Sequence, residues 1–269
     1  PPPAKSPPSA SSGKKFARSS GVRAEFQRVV IYGPGGIGKS ELCASLKQVG
    51  IRPLVLDIGS STGFLDVERI GESEGLQTWQ DLRDALHDES LWQGVGAVVI
   101  DDLTKAEDLA IQHVLETVKN DKGNVVNNIE GYGFGKGGSH VYEAFLKLLG
   151  DLDAHIRAGR QVVCVAHECT SEVPNPGGEN WIRYEPRLQS PKSGKCSIRH
   201  RVKEWADHLI FIGYDVAINE QGKGVGAGTR AIYPSERPTH MAKSRSISTP
   251  IIYERGSAEL WKQLFGEPK

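Results

Sequence analysis

Gly33-Pro34-Gly35-Gly36-Ile37-Gly38-Lys39-Ser40 matches the phosphate-binding template G-x-x-x-x-G-K-[ST] at every fixed position. The apolar run Arg28–Tyr32 leads directly into this stretch, and Glu41–Leu46 continues it with leucines on one helical face. Glycines allow consecutive backbone N–H groups to turn toward phosphate oxygens, and the N-terminus of the next helix adds partial positive charge. We therefore expect a strand, a loop and a helix that bind a nucleotide through residues 33–41.

Two residues of the stretch and one later carboxylate predict the chemistry of the bound nucleotide. Lys39 should reach the β- and γ-phosphates of ATP, and the Ser40 hydroxyl should hold Mg²⁺. The apolar run Ala97–Ile100 ends at Asp101, and we expect the strand beside the loop to bring this carboxylate to the magnesium ion. ATP and Mg²⁺ are thus the predicted cofactors, with Ser40 and Asp101 on the metal.

Hydrolysis also needs a group that positions the attacking water. Asp102 is a candidate, although an Asp at this position also suits the N-cap of the next helix, and the two roles are compatible. Asp57, at the end of the second predicted strand, is another candidate, and Glu41 is a weaker one. His167 follows the strand Val162–Ala166 and should face the γ-phosphate, unless it is a surface histidine at a strand end.

Composition limits the class of protein. Lys and Arg together number 33, as do Asp and Glu, so any contact with nucleic acid must come from local patches. No apolar run approaches the length of a membrane span, so we expect no membrane partner and a cytoplasmic protein. We expect the four cysteines to be reduced and unpaired, and zinc held by His167, Cys169, Cys196 and His200 is the weaker alternative.

The remaining pattern predicts an α/β fold. Residues 1–24, rich in Pro, Ser, Lys and Arg, should form a disordered tail, and residues 25–269 the domain. Continuous apolar strands alternate with amphipathic helices, which indicates a mostly parallel sheet with helices on both faces. The predicted strands are 29–32, 53–57, 97–101, 161–166 and 208–213, followed by a C-terminal β hairpin of 229–233 and 250–253; the predicted helices are 38–49, 77–92, 103–119, 139–158 and 257–265.

Two long polar loops, residues 119–138 and 168–201, should leave the same end of this sheet. They interleave aromatic side chains with Lys and Arg, the combination that single-stranded nucleic acid requires for base stacking and phosphate pairing. Uninterrupted loops of such length are usually functional or disordered. The candidate DNA-binding residues are Lys136, Trp181, Arg183, Tyr184, Arg187, Lys192, Lys195 and Arg199.

Together these segments resemble phage-type RecA-like P-loop ATP-binding proteins, including single-strand-annealing recombination ATPases. The resemblance covers about residues 26–265 and rests on the loop, the strand ending at Asp101, Ala166-His167-Glu168, Tyr184-x-Pro186-x-Leu188 and Ala242-Lys243-Ser244-Arg245. It implies a RecA-like P-loop NTPase core, self-assembly into a ring or filament, and DNA-binding positions for the two loops. It also implies that Lys243 and Arg245, which we place after the β hairpin, reach a neighbour's nucleotide. A single-strand-binding protein is a further candidate partner.

One departure from the family pattern affects the expected activity. RecA itself has a catalytic Glu two residues beyond the Asp that ends its second strand, whereas this chain has Gly59 there. We therefore expect either a DNA-dependent ATPase, with slow hydrolysis or with Asp102 serving instead, or a nucleotide-gated DNA-binding or loader module that scarcely hydrolyses ATP. A small-molecule kinase is disfavoured, because such kinases generally carry a compact Arg-rich lid instead of two Gly/aromatic loops.

Overall fold

The computed structural model describes residues 20–21, 26–133, 135–215, 217–218, 224–226 and 228–267. The tail predicted for residues 1–24 lies outside these ranges except for Ser20 and Gly21. The strands are β1 (Arg28–Gly33), β2 (Pro53–Asp57), β3 (Glu68–Gly71), β4 (Ala97–Asp101), β5 (Gln161–Val173), β6 (Trp181–Pro186), β7 (His208–Tyr214), β8 (Ala217–Ile218), β9 (Gly224–Val225), β10 (Arg230–Tyr233) and β11 (Ile251–Tyr253).

Nine of the described strands form one sheet in the order β11-β10-β7-β1-β5-β4-β2-β3, with β6 paired to β5 alone. The strands from β3 to β7 in this order run parallel, whereas β10 and β11 are antiparallel. Strands β2 and β4 match their predicted bounds, because each is a short apolar run buried on both faces. The mostly parallel sheet and the antiparallel C-terminal pair are therefore confirmed.

Helices cover both faces of the sheet, as predicted. They are α1 (Lys39–Ala44), α2 (Trp79–His87), α3 (Leu103–Thr117), α4 (Lys136–Arg157), α5 (Ile198–Trp205) and α6 (Glu259–Phe265). One apolar core contains side chains from α2, α3, α4 and α5, and the other contains side chains from α1 and α6. None of the described helices is long and apolar enough to cross a membrane.

The helix after the loop is shorter than predicted. It ends at Ala44, and Ser45–Val49 continue as a 3₁₀ turn. The carbonyl oxygen of Leu42 accepts from the Ser45 hydroxyl and from the Trp261 indole, each at 2.7 Å. Because these side chains occupy the acceptor that an α-helix offers to the residue four positions later, the chain tightens at this point.

The region 168–201 is not a long loop, contrary to our prediction. Strand β5 continues past the sheet to Val173 and pairs antiparallel with β6, which makes a β hairpin of the first half of the region. Helix α5 then begins at Ile198, with the Ser197 hydroxyl accepting from the His200 N–H. The β-branched and aromatic residues Trp181, Ile182 and Tyr184 are the sequence signal that favours a strand here.

Candidate nucleotide-binding site

The loop between β1 and α1 surrounds a cavity of about 280 Å³ at the carboxyl end of the sheet. Gly33 packs so closely on β7 that a Cβ there would lie 2.1 Å from the Ile212 carbonyl oxygen. Gly38 has a φ of +107°, which L side chains rarely adopt, and its carbonyl accepts from the Tyr253 hydroxyl at 2.7 Å. The fixed glycines thus meet the steric demands of this cradle.

Lys39 lies inside the cradle and makes no ion pair among the described residues. Its ammonium donates to the carbonyl oxygens of Gly33 and Pro34 at 2.7 and 2.8 Å, which bends it back over the loop. Burial lowers the pKa of Lys39, while the carboxylates of Glu168 and Asp101 oppose that shift. A buried cation that is held only by carbonyl oxygens is well placed to receive anionic phosphates.

Two hydroxyls meet one carboxylate oxygen beside Lys39. The Oδ2 atom of Asp101 accepts from Ser40 Oγ at 2.6 Å and from Ser61 Oγ at 2.9 Å. Burial raises the pKa of Asp101, and the two hydroxyl donors only partly oppose this rise. Hard oxygen donors of this kind suit Mg²⁺, so Ser40 and Asp101 fit the predicted roles. When bound with the nucleotide, the ion would neutralise phosphate charge.

Our expectation about the strand order was wrong in one respect. Strand β4, which ends at Asp101, does not lie beside β1; strand β5 separates them. Asp101 is still within reach of the loop, since the Ser40 hydroxyl donates to it at 2.6 Å, although Gly33 is paired with His167 of the intervening strand β5. The order also puts His167 between the loop and Asp101, at the edge of the cavity.

Asp57 is occupied by its own loop. Its carboxylate accepts from the backbone N–H groups of Ser61 and Thr62 at 2.8 and 3.0 Å and also from the Thr62 hydroxyl. Because this buried carboxylate accepts from these three donors, and the Ser61 hydroxyl also lies 3.3 Å from its Oδ1, its evident role is to fix the segment that carries Ser61. Sequence reasoning missed Ser61, although the run Ser60–Thr62 after a strand-end Asp is a recognisable cluster of hydroxyls.

Asp102 and His167 form a pair at the cavity wall. Oδ1 of Asp102 accepts from the Lys105 N–H at 2.8 Å, and its Oδ2 lies 3.4 Å from Nε2 of His167. The backbone N–H of His167 donates to the Thr104 hydroxyl at 3.1 Å. Asp102 therefore caps α3 and also faces the cavity, a geometry that is compatible with the cap and with the predicted water-positioning role.

A second cation borders the cavity. The Arg255 guanidinium pairs with Glu41, with Nε of Arg255 at 2.7 Å from Oε2 of Glu41, and both side chains line the cavity. No local sequence signal indicates Arg255, because it follows the edge strand β11 and reaches the loop through the tertiary fold alone.

Lys243 and Arg245 lie at the end of the sheet opposite to the phosphate loop, residues 33–40. They precede β11 in the connection from β10, and do not follow the hairpin as we expected. The Lys243 ammonium donates to the carbonyl oxygens of Lys203, Glu204 and Ala206 near the end of α5. Arg245 is 63% exposed and pairs with Asp207 at 3.1 Å. Neither side chain borders the cavity.

The candidate DNA-binding residues divide into engaged and exposed groups. Arg183 pairs with Glu185 and Glu236, and Arg199 pairs with Glu185 and with neighbouring polar atoms, so these two guanidinium groups are internal. Lys136 pairs with Asp121. Lys136 is itself exposed, and the other exposed side chains are Trp181, Tyr184, Arg187, Lys192 and Lys195.

The two aromatic side chains of β6 differ in direction and support. Trp181 and Tyr184 are an odd number of residues apart, so they project from opposite faces of the hairpin. Tyr184 is 43% exposed and stacks on Phe211 at a centroid distance of 5.3 Å. In the first loop, Tyr132 is buried, with its hydroxyl donating to two carbonyls of the α3 region, and Phe134 lies outside the described residues.

The structure does not assemble the alternative zinc site. Among the described residues, which include all four proposed ligands, no group of three or more His, Cys, Asp or Glu side chains is arranged to hold a metal ion. Cys169 instead accepts from the Arg199 guanidinium at 3.3 Å.

Comparison with known proteins identifies the family to which this site belongs. A search of curated proteins finds no match. A family model described as an AAA domain matches residues 25–246, which include the phosphate loop, Asp101 and His167. Because that match spans most of the 269 residues, the chain belongs to the AAA-domain family, within the P-loop NTPase superfamily.

Proposed function

We propose that the protein is an Mg²⁺-dependent ATPase that binds single-stranded DNA and acts in phage or plasmid recombination or replication, as a ring or filament of identical subunits. The observation that supports the ATPase best is the meeting of the Ser40 and Ser61 hydroxyls at Asp101, beside the buried Lys39 ammonium. These groups match the phosphate and metal requirements of one bound nucleotide. The DNA role rests on the sequence resemblance and on the exposed aromatic and basic side chains of residues 181–195.

In the proposed ATPase, each residue has a separate task. The glycine cradle and Lys39 bind and orient the phosphates, and Ser40 with Asp101 hold the metal that accompanies them. Asp102 orients the attacking water and accepts its proton, while His167 contacts the γ-phosphate. Strand β5 continues from His167 to Thr170, which pairs with Tyr184 across the hairpin, so the γ-phosphate site is linked to the proposed DNA surface by three residues and one strand pairing.

A second function, from a different class, is supported by Gly59. With no Glu at this position, the protein could serve as a nucleotide-gated DNA-binding or loader module that binds ATP and scarcely hydrolyses it. Measuring phosphate release with and without single-stranded DNA separates the two functions. DNA-stimulated release supports the ATPase, whereas nucleotide-dependent DNA binding without release supports the loader module.

Nucleotide affinity should collapse when Lys39 or Asp101 is replaced. Lys39→Ala removes the only ammonium in the cradle, and Asp101→Ala removes the carboxylate that Ser40 and Ser61 contact. We expect each variant to fold and to lose at least about tenfold in affinity for a fluorescent ATP analogue with Mg²⁺, since charge-assisted contacts are the strong ones. Asp101→Ala should also lose the dependence of binding on Mg²⁺. Unchanged binding by Lys39→Ala would refute the site.

Single-strand binding should depend on the hairpin aromatics. Trp181→Ala and Tyr184→Ala should each lose about 1–3 kcal/mol of binding free energy, and affinity should fall steeply with salt because exposed lysines accompany the aromatics. The measurement is fluorescence anisotropy of labelled DNA at fixed salt. Leu91→Ala is a matched control, since Leu91 and Trp181 are both 36% exposed. Equal affinity of wild type and the Trp181/Tyr184 double variant would rule out this surface.

A further inference from the structure

The end of β11 and the segment that follows it pack along α1 and along the 3₁₀ turn after α1. The Tyr253 hydroxyl donates to the Gly38 carbonyl, the Arg255 guanidinium pairs with Glu41, and Gln48 donates to the Gly256 carbonyl at 2.8 Å. This segment lies beyond residue 246, where the family match ends. It therefore adds a feature to the nucleotide site that the family match does not include.

Arg255 is positioned to act on whatever occupies the cavity. Its Cγ atom would lie 3.5 Å from a Cβ built on Gly38, the residue that precedes Lys39. The Arg255 side chain is 49% exposed, and the residue borders the cavity. The side chain of Glu41 is 25% exposed, and because ion pairs that solvent reaches are weak, exchanging Glu41 for another anion costs Arg255 little.

We propose that Arg255 binds the phosphates of the nucleotide in cis, as a second cation beside Lys39, and that Glu41 holds its guanidinium at the rim until the nucleotide arrives. The inference rests on the proposed nucleotide-binding function. The planar fork of an Arg donates two parallel hydrogen bonds to phosphate oxygens, which the point charge of Lys39 cannot do. Arg255 also offsets the negative charge that Glu41 places next to bound phosphates.

The competing explanation is that the Arg255–Glu41 pair only fastens the C-terminal segment to α1. The two roles predict different patterns when the partners are replaced separately. A fastening pair loses the same contact whichever partner is changed, so both variants should show the same effect. A phosphate-binding Arg255 should lose affinity when it is replaced, but Glu41→Gln should gain affinity, because the guanidinium is released and a negative charge is removed.

The experiment is a titration of a fluorescent ATP analogue with Mg²⁺ into the full chain at low salt. We expect Arg255→Ala to bind about tenfold or more weakly, Arg255→Lys to recover part of the loss, and Glu41→Gln to bind more tightly than wild type. Arg52→Ala is the matched control, because Arg52 forms a similarly exposed two-contact pair with Glu68 near the start of β2, at the other end of the sheet. Thermal unfolding of each variant checks folding.

Competition by inorganic tripolyphosphate identifies the part of the nucleotide that Arg255 contacts. Its inhibition constant should rise in Arg255→Ala by the same factor as the dissociation constant for the analogue. The inference is overturned if Arg255→Ala binds like wild type, if Arg255→Ala and Glu41→Gln weaken binding equally, or if tripolyphosphate competes equally well against both proteins. Failure of the proposed function gives a different result, in which wild type itself does not bind the analogue or Lys39→Ala binds as well as wild type.

Discussion

Mixing Arg245→Ala subunits with Lys39→Ala subunits should restore ATP hydrolysis that neither variant performs alone. The first variant keeps an intact phosphate loop, and the second keeps an intact Arg245. If equal amounts of the two variants form a head-to-tail assembly, about one quarter of the interfaces combine an intact phosphate loop with an intact Arg245. Arg245→Ala alone should lose on the order of 10³–10⁵ in turnover, the effect of a finger residue in other phosphate-loop enzymes.

Arg245 is expected to act on another subunit because it lies far from the phosphate loop of its own chain. Arg245 pairs with Asp207, which immediately precedes β7. The phosphate loop begins at the end of β1, the strand that pairs with β7. Along these paired strands, the loop lies five residues beyond the level of Asp207. At about 3.3 Å per residue, this separation is roughly 16 Å, beyond the reach of one side chain. If Arg245 acts on a γ-phosphate, that phosphate belongs to another subunit, and the exposure of Arg245 is consistent with such a role.

Comparing Lys243→Ala with Arg245→Ala distinguishes a loss of stability from a loss of activity in the assembly. Three carbonyl oxygens accept from its ammonium, so Lys243→Ala should lower the thermal unfolding midpoint, which Arg245→Ala should leave nearly unchanged. Specific activity of wild type should rise with protein concentration. Full activity of Arg245→Ala, or flat specific activity from dilute monomer upward, would assign transition-state charge stabilisation to a cis residue, and Arg255 is placed for that task.

The sequence predicts this fold well where the burial of apolar side chains alone determines the local structure. Strands β2 and β4 are short apolar runs buried on both faces, so burial alone determines their bounds. The helix predicted for residues 38–49 is α-helical only to Ala44 and then becomes a 3₁₀ turn, because Trp261, more than 200 positions away, occupies a backbone acceptor of α1. Helical periodicity contains no information about that contact.

Some residues of the candidate site could be predicted from local motifs, whereas others reach it only through the tertiary fold. Lys39, Ser40 and Asp101 follow from local motifs, because the phosphate loop and the strand-end carboxylate are each defined by neighbouring residues. Ser61 and Arg255 enter the cavity through loop geometry and sheet order, which no short motif encodes. For Arg183 and Arg199 the sequence predicted a binding role that their surroundings do not favour. That prediction assumed a long loop, whereas the chain forms a hairpin in which Glu185 pairs with both guanidinium groups.

Asp102→Asn should lower ATP turnover by about 10²–10⁴-fold while leaving nucleotide affinity close to that of wild type. Asn is as good an N-cap as Asp, so the bond from the Lys105 N–H to residue 102 should survive and α3 should remain intact. The substitution thus removes only the negative charge and the basicity of the carboxylate. Single-turnover phosphate release, with affinity measured in parallel, distinguishes loss of chemistry from loss of binding.

The position of Gly59 explains why Asp102 is the residue to test. A Cβ built on Gly59 would lie 3.6 Å from Oδ2 of Asp102, so the carboxylate occupies the space in front of the glycine. The contact is an ordinary one, and Gly59→Ala should therefore retain activity, as the matched control. If Asp102→Asn turns over within about twofold of wild type, another group accepts the water's proton. In that case the carboxylate of Asp102 serves to cap α3 and to orient His167.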